Sequence, residues 1–320
     1  MQHIKLARAA GVRRSLITGL AATFCVFASS PSAAFTGFSL GAFDRYGILI
    51  NSGVANGDIN TSPVNANIGI GNITGTVNLH NEVVNGRVDL TNTAAANLSG
   101  GAITGTQPAS LGGPAPASVN NNVANVANAI TIARNLSSYY GAEAASGTAV
   151  TINNASTTFN SSSGFLDTTG TRIFTASTFN IGNSHTVTIN GLSTDYVVLD
   201  VTGTNGGKLD GALTLTGGLT SDHVLVNFIG SGNLQGAANG ATLQGTFLAP
   251  NLGINLDSLT INGRVFGGAS NTNFQFVSGA KIIQPAIAAV PEPAVWGMMM
   301  AGFGLVGVAG RRRRPNAVAA

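Results

Sequence analysis

Asp195, Asp200, Asp210 and Asp222 form the densest acidic group in this 320-residue sequence. Two carboxylates converging in a cleft would suit cleavage of a glycosidic bond. All four stand in turn-like contexts beside Thr and Gly, where Asp commonly serves local hydrogen bonding, so no catalytic residue is assigned. The histidines outside the N-terminal segment are His80, His185 and His223, none close to another. Adjacent on a strand, Asp222 and His223 would point to opposite faces, whereas His80 and Glu82 could share one. Two ligands fall short of a closed metal site, and the glycine-aspartate nonapeptides of calcium β-rolls are absent, so neither metal nor cofactor is expected. Arg87 and Arg264 recur in two Asn-Gly-Arg-Val units, Asn85 to Val88 and Asn262 to Val265. They read either as a shared ligand contact or as a turn repeated because the chain geometry repeats. Thr pairs at 186/188, 202/204 and 214/216 would face solvent on strands, where ranks of Thr can order water. No Gly-rich stretch follows a strand, opens a helix and carries the Lys of a phosphate loop.

The elements that position these residues must be mostly strands. Charged residues make up only 8% of the chain, against roughly 25% in an ordinary soluble domain, while Gly numbers 43. With 44% hydrophobic residues the chain can bury a sizeable core. Abundant Asn-Gly and Gly-Gly pairs argue for short strands and many turns rather than a helical bundle. The formal charge of +3 does not describe the body, because 8 of the 15 basic residues lie at the two ends. Between Phe35 and Gly310 there are 7 basic and 12 acidic residues, which sets aside nucleic-acid binding by phosphate neutralisation.

Both ends read as targeting segments. Lys5, Arg8, Arg13 and Arg14 precede an apolar stretch from Ser15 to Phe27 that ends in Ser32-Ala33-Ala34. This is the layout of a secretory signal peptide over 1–34, with cleavage expected between Ala34 and Phe35 or one residue earlier. Cys25, the sole cysteine, leaves with it, so the mature chain has no disulfide and no thiolate. At the other end Pro291-Glu292-Pro293 and Trp296 precede about 16 apolar residues and then Arg311, Arg312, Arg313 and Arg314. That run is at the short edge of the ~17–25 residues of a membrane-spanning helix, and the arginines would hold its end in the cytoplasm. The tail, 286–314 with 315–320 beyond it, resembles the PEP-CTERM sorting signal, with Pro291, Glu292, Pro293 and Trp296 matching its motif. The resemblance implies an exosortase as processing partner, transient anchoring in the inner membrane, and a body at the cell surface or in the extracellular matrix.

Within 35–285, short apolar-alternating runs recur: Gly47–Ile50, Ile68–Ile70, Ile73–Leu79, Val83–Leu90, then Val150–Ile152, Val187–Ile189, Tyr196–Leu199, Leu213–Leu215, Val224–Phe228, Thr246–Ala249, Ile254–Leu256 and Phe274–Phe276. Gly100 to Pro116 reads as a loop or linker. One helix is expected over about 118–140, with Val119, Val123, Val126, Ala127, Ile130, Ala133 and Tyr140 as its apolar stripe. A unit of aliphatic, polar, Gly, any residue, apolar begins at Ile73, Val84, Leu209, Leu243 and Ile261, with partial copies at Ile103 and Ile189. The steps from Val84 to Ile103 and from Leu243 to Ile261 are 19 and 18 residues, about one coil of a small β-helix; a jelly-roll sandwich is the rival. Together with the helix ending in Tyr139-Tyr140, the runs Val224–Phe228, Gly245–Pro250 and Ile261–Gly267 look like the choice-of-anchor A family. The layout is also similar to the ice-binding adhesin-like domain. That resemblance implies a mainly β fold, a discontinuous right-handed β-helix or solenoid with one long α-helix packed alongside. A structural or adhesive role toward exopolysaccharide or other surface proteins follows, with ice or carbohydrate binding as the alternative; an enzyme is not expected.

Overall fold

The computed structural model describes residues 37–60, 64–80, 83–91, 96–99, 102–103, 119–121, 123–237 and 240–285. Among them every strand pairing is parallel except that of Phe165–Leu166 with Thr171–Ala176. Parallel neighbours must return by a crossover, so the chain coils, and the antiparallel jelly roll is ruled out. Each coil lays strands on three faces of a β-helix-like solenoid. On the first face the order is Thr148–Ala149, Thr171–Ala176, Tyr196–Val201, Val224–Phe228, Thr242–Ala249, Thr260–Gly267, Ile48–Ile50, Ile68–Ile70, Val88–Leu90 and Val119–Asn121. The second face is a separate nine-stranded sheet running from Ile152–Asn153 to Ala96–Ser99. The third carries Thr157–Asn160, Thr186–Asn190 and Ala212–Thr216, then the leading halves of the two eight-residue strands and Lys281–Ile283.

The stacking order is discontinuous. Ile48 pairs with Val265 on one side and with Ile68 on the other, so the N-terminal coils stack on the end of the C-terminal ones. Coil length varies: Ile48, Ile68 and Val88 are 20 residues apart, Thr242 and Thr260 are 18 apart, and Val198 and Leu225 are 27 apart. The expected eighteen-residue period therefore holds only near the seam, because the corners take up insertions. The repeated five-residue unit marks corners. Val84 and Ile103, like Leu243 and Ile261, pair directly on the third face. The corner is tight: a Cβ at Gly86 would lie 2.1 Å from the Ala66 carbonyl oxygen, and one at Gly263 would lie 1.8 Å from that of Gly245. Val83–Leu90, expected as one run, is accordingly two strands, Val83–Val84 and Val88–Leu90, and of Ile73–Leu79 only the part from Val77 is strand.

The helix spans Val123–Glu143, later than expected, because Val119–Asn121 instead pairs with Val88–Leu90 and satisfies its backbone on the sheet. Val126, Ala129, Ile130, Ala133 and Tyr140 are buried, whereas Ala127, expected on the stripe, is exposed. They pack on side chains that point out of the first face: Leu49, Ile173, Val198, Leu225, Leu248 and Phe266. Strands of this face are thus apolar on both sides, which explains runs such as Val224–Phe228. Each large apolar side chain buried here contributes roughly 2 kcal/mol. At the helix end Thr175 Oγ1 donates to the Ala144 carbonyl at 2.5 Å. Inside the solenoid lies a second apolar core of inward residues, from Ile48 and Phe174 to Phe276 and Ile282.

Candidate functional site

The second face shows one residue per coil in direct register. Asn153 pairs with Asn180, Asn180 with Lys208, Lys208 with Gln235, Gln235 with Asn255, Asn255 with Gln275, Gln275 with Asp58 and Asp58 with Asn78. All but Asn153 sit between inward residues; Asn153, Lys208, Gln235 and Asn255 are exposed and the others partly so. Parallel coils repeat at about 4.8 Å, so this is a ladder of eight polar side chains, six of them primary amides, roughly 34 Å long. Beside it run Asn233, Asn273 and Asn56, Asn273 pairing with Asn56. An amide offers two donors and an acceptor, so such a ladder can meet a periodic, hydroxyl-rich surface at many points. Reading the sequence for clusters missed it. Its trace is the repeated triplet of one amide between two apolar residues: Phe179-Asn180-Ile181, Ile254-Asn255-Leu256, Phe274-Gln275-Phe276 and Val77-Asn78-Leu79.

The third face carries the Thr. Thr158, Thr188 and Thr214 stand in register, as do Asn160, Asn190 and Thr216. Asn190 Nδ2 donates to Asn160 Oδ1 at 2.9 Å and Thr216 Oγ1 to Asn190 Oδ1 at 3.1 Å, which fixes this rank. Two of the three expected Thr pairs thus come together; Thr202 and Thr204 lie outside the strands, between the first two faces.

The four aspartates are held by different partners. Asp195 accepts from Ser161 Oγ at 2.5 Å and Leu192 N at 2.9 Å, a corner brace. Asp210 pairs with Lys208 at 2.8 Å and accepts from Ala237 N. Asp222 pairs with Arg264 at 2.8 Å. Asp200 is fully buried under the helix, where Asn227 Nδ2 donates to it at 2.7 Å. Asn227 in turn holds the helix, accepting from Ser137 Oγ at 2.5 Å and donating to the Ser137 carbonyl at 2.9 Å. Burial pushes the Asp200 carboxyl up to about 7, with Glu143 adding to the effect and Asn227 opposing it.

Arg87 and Arg264 share one column of the first face, three rungs apart, since Val265, Ile48, Ile68 and Val88 pair in sequence. Their partners differ: Arg87 meets Asp89 at 3.2 Å, while Arg264, fully buried, is bracketed by Asp44 and Asp222. Asp222 and His223 lie in the 3-10 turn Ser221–His223, in keeping with the turn-like context read for Asp222, and the His223 ring stacks on Tyr196 at 4.1 Å. Among the described residues no three His, Cys, Asp or Glu are grouped to hold a metal. Glu82, Ala34, Phe35, Pro291, Glu292, Pro293, Trp296 and Arg311 to Arg314 lie outside the described residues. Among the described residues no helix is long and apolar enough to cross a membrane.

Residues 31–277 match the family described as "Putative Ice-binding-like adhesive domain". The chain belongs to this family. Behind the adhesive domain, residues 289–314 match the PEP-CTERM protein-sorting motif, a signal for export and exosortase processing that implies a surface or extracellular location. No curated protein sequence matches the chain. Solved structures similar to it include an ice-binding protein from the Antarctic ascomycete Antarctomyces psychrotrophicus, at 16% identity over 79% of this chain and 100% of that one, TM-score 0.43. An ice-binding protein from Arctic yeast is 14% identical over 80% and 97%, TM-score 0.44. A domain of a Shewanella frigidimarina ice-binding protein is 13% identical over 78% and 98%, TM-score 0.44. The family is described as adhesive and ice-binding-like, and these solved structures are described as ice-binding proteins.

Proposed function

We propose that the adhesive domain holds the exopolysaccharide of its own cell, or a biofilm matrix built from it, along the amide ladder of the second face. The observation that supports this is the eight-rung register from Asn153 to Asn78 on an exposed sheet. A polymer of repeating hydroxyls gains from many weak, evenly spaced contacts, since linked sites raise the effective concentration of the next. On this reading the chain has a choice-of-anchor A layout: signal peptide 1–34 cut between Ala34 and Phe35, right-handed solenoid 35–285, sorting signal 286–314 and tail 315–320. The handedness follows the general preference of parallel crossovers. An exosortase acts at Pro291, Glu292, Pro293 and Trp296 while Arg311 to Arg314 hold the span in the inner membrane.

Two measurements test it. Purified protein should co-sediment with the producer's exopolysaccharide, and Gln235→Ala, Asn255→Ala and Gln275→Ala together should cut retention at least tenfold; wild-type protein that stays in the supernatant would sink the ladder reading. Mass spectrometry of the extracellular protein should find a chain beginning at Phe35 and ending near Pro293, whereas a chain running through Arg314 would make the tail a plain anchor. The in-register Thr of the third face favours a second reading, ice binding by ordered water, which predicts thermal hysteresis lost on Thr188→Val with Thr214→Val.

A further inference from the structure

A cleft of about 550 Å³ opens where the helix passes the corner between the first and second faces. One wall is Arg134, Ser137, Ser138 and Gly141, spaced i, i+3, i+4 and i+7 and so on one side of the helix. The small residues of that set leave the space. Opposite are corner residues from both halves of the chain: Asn51 and Ser52 from the N-terminal coils, and Ile229, Pro250, Asn251 and Ser270 from the C-terminal coils. The floor is fixed, because Asn51 Nδ2 donates to the Pro250 carbonyl at 3.0 Å and Asn51 Oδ1 accepts from Ser52 N at 2.9 Å.

The chemistry of the lining is selective. It includes no acidic residue and one cation, Arg134, and that guanidinium is exposed on the helix with no carboxylate partner among the described residues. The other arginines beside a strand corner, Arg87 and Arg264, are both paired with aspartate. Ser138, Asn251 and Ser270 are exposed and offer hydroxyl and amide groups at different points of the rim, while Ile229 and Pro250 supply an apolar patch. A planar guanidinium takes a carboxylate through two parallel hydrogen bonds. Hydroxyl-bearing rims with a small apolar floor suit a pyranose ring, which has polar edges and an apolar face. The volume lies within the ~300–1,000 Å³ of small-ligand sites.

The geometry points to this cleft as a binding site for a carboxylated sugar, a uronate unit of one or two rings, with Arg134 receiving the carboxylate and Ser138, Asn251 and Ser270 the ring hydroxyls. This goes beyond polymer retention on the second face: it is a separate site, at the corner under the helix rather than along the ladder, and it specifies charge. It would let the protein recognise acidic units of a matrix whose bulk it holds elsewhere.

The test is calorimetric titration of the purified protein with digalacturonate, with its neutral counterpart galactobiose, and with acetate. Digalacturonate should bind at least tenfold more tightly than either. Arg134→Gln should erase that preference and Arg134→Lys keep part of it, with thermal unfolding unchanged in both because the residue is exposed. Asn251→Ala with Ser138→Ala should weaken digalacturonate severalfold without affecting acetate. Equal binding of digalacturonate by wild type and Arg134→Gln, no binding to wild type, or acetate competing as well as the disaccharide would overturn the assignment. Because the probe is too short to follow the ladder, its failure leaves co-sedimentation with polymer as an independent result.

Discussion

Asp200→Asn is expected to raise the free energy of unfolding at pH 8 by up to roughly 4 kcal/mol and to leave it nearly unchanged at pH 4. Asp200 is fully buried between the helix and the first face, and its Oδ2 has no hydrogen-bond partner. Burial is the main cause that moves its carboxyl from 3.8 to about 7. Between those values the native state keeps a proton that the unfolded chain releases. Stability therefore falls as pH rises through that window, then levels off above the folded value. Asparagine mimics the protonated form, can still accept from Asn227, and carries no charge to desolvate at any pH. Urea unfolding of both proteins at intervals from pH 4 to 8 should give a declining curve for wild type relative to the variant. Parallel curves would show that Asp200 is not held protonated. Asn227 links Asp200 to Ser137 on the cleft wall, so the carboxyl and the wall share one hydrogen-bond chain.

Arg264→Ala is expected to cost roughly 3 to 5 kcal/mol at pH 7, the usual penalty for removing one partner of a buried ion pair. Arg264 heads the fully buried side chains by volume. Its Nε donates to the Asp44 carbonyl at 3.3 Å, its Nη1 to Asp222 Oδ1 at 2.8 Å, and its Nη2 pairs with the Asp44 carboxylate. Three segments meet there: the N-terminal 3-10 turn Gly41–Arg45, the turn Ser221–His223, and strand Thr260–Gly267. Truncation leaves a cavity and two carboxylates without their cation. Burial already pushes the Asp44 carboxyl upward, with Arg264 opposing and Asp222 adding to the rise, so loss of Arg264 removes the opposing influence. The penalty should shrink at pH 4, where protonation relieves the repulsion, and Asp44→Asn with Asp222→Asn in the Arg264→Ala background should recover part of it at pH 7. A loss below about 1 kcal/mol at pH 7 would mean that packing alone, not the charge cluster, closes the seam.

Much of the fold is legible in the residues because its inward alternation is local. Val187-Thr-Ile189, Leu213-Thr-Leu215 and Phe274-Gln-Phe276 announce strands with one apolar face, and Asn-Gly-Arg-Val announces a corner. The helix begins and ends three to five residues later than its spacing predicts, because Val119–Asn121 has both helical spacing and strand composition, and a free sheet edge at Val88–Leu90 decides between them. The candidate sites were less legible. Asp195, Asp200, Asp210 and Asp222 are near neighbours in sequence, yet successive strands and corners direct them to different partners. Successive ladder residues are 20 to 28 apart along the chain except at the step from Gln275 to Asp58, which is 217, a spacing too variable to stand out.

Local residue pattern is enough to specify a thiol-poor, turn-rich chain of short strands with one amphipathic helix, followed by a sorting motif whose residues are contiguous and need no fold to be recognised. Which strand lies beside which was decided only in three dimensions. Pairing of Ile48 with Val265 joins residues 217 positions apart, and from that seam come the burial of Arg264, the cleft beside Arg134 and the continuity of the amide ladder. The physical reason is that alternation fixes which way a side chain points, whereas parallel pairing is a non-local contact whose register is set by the fit of whole coils around a shared core.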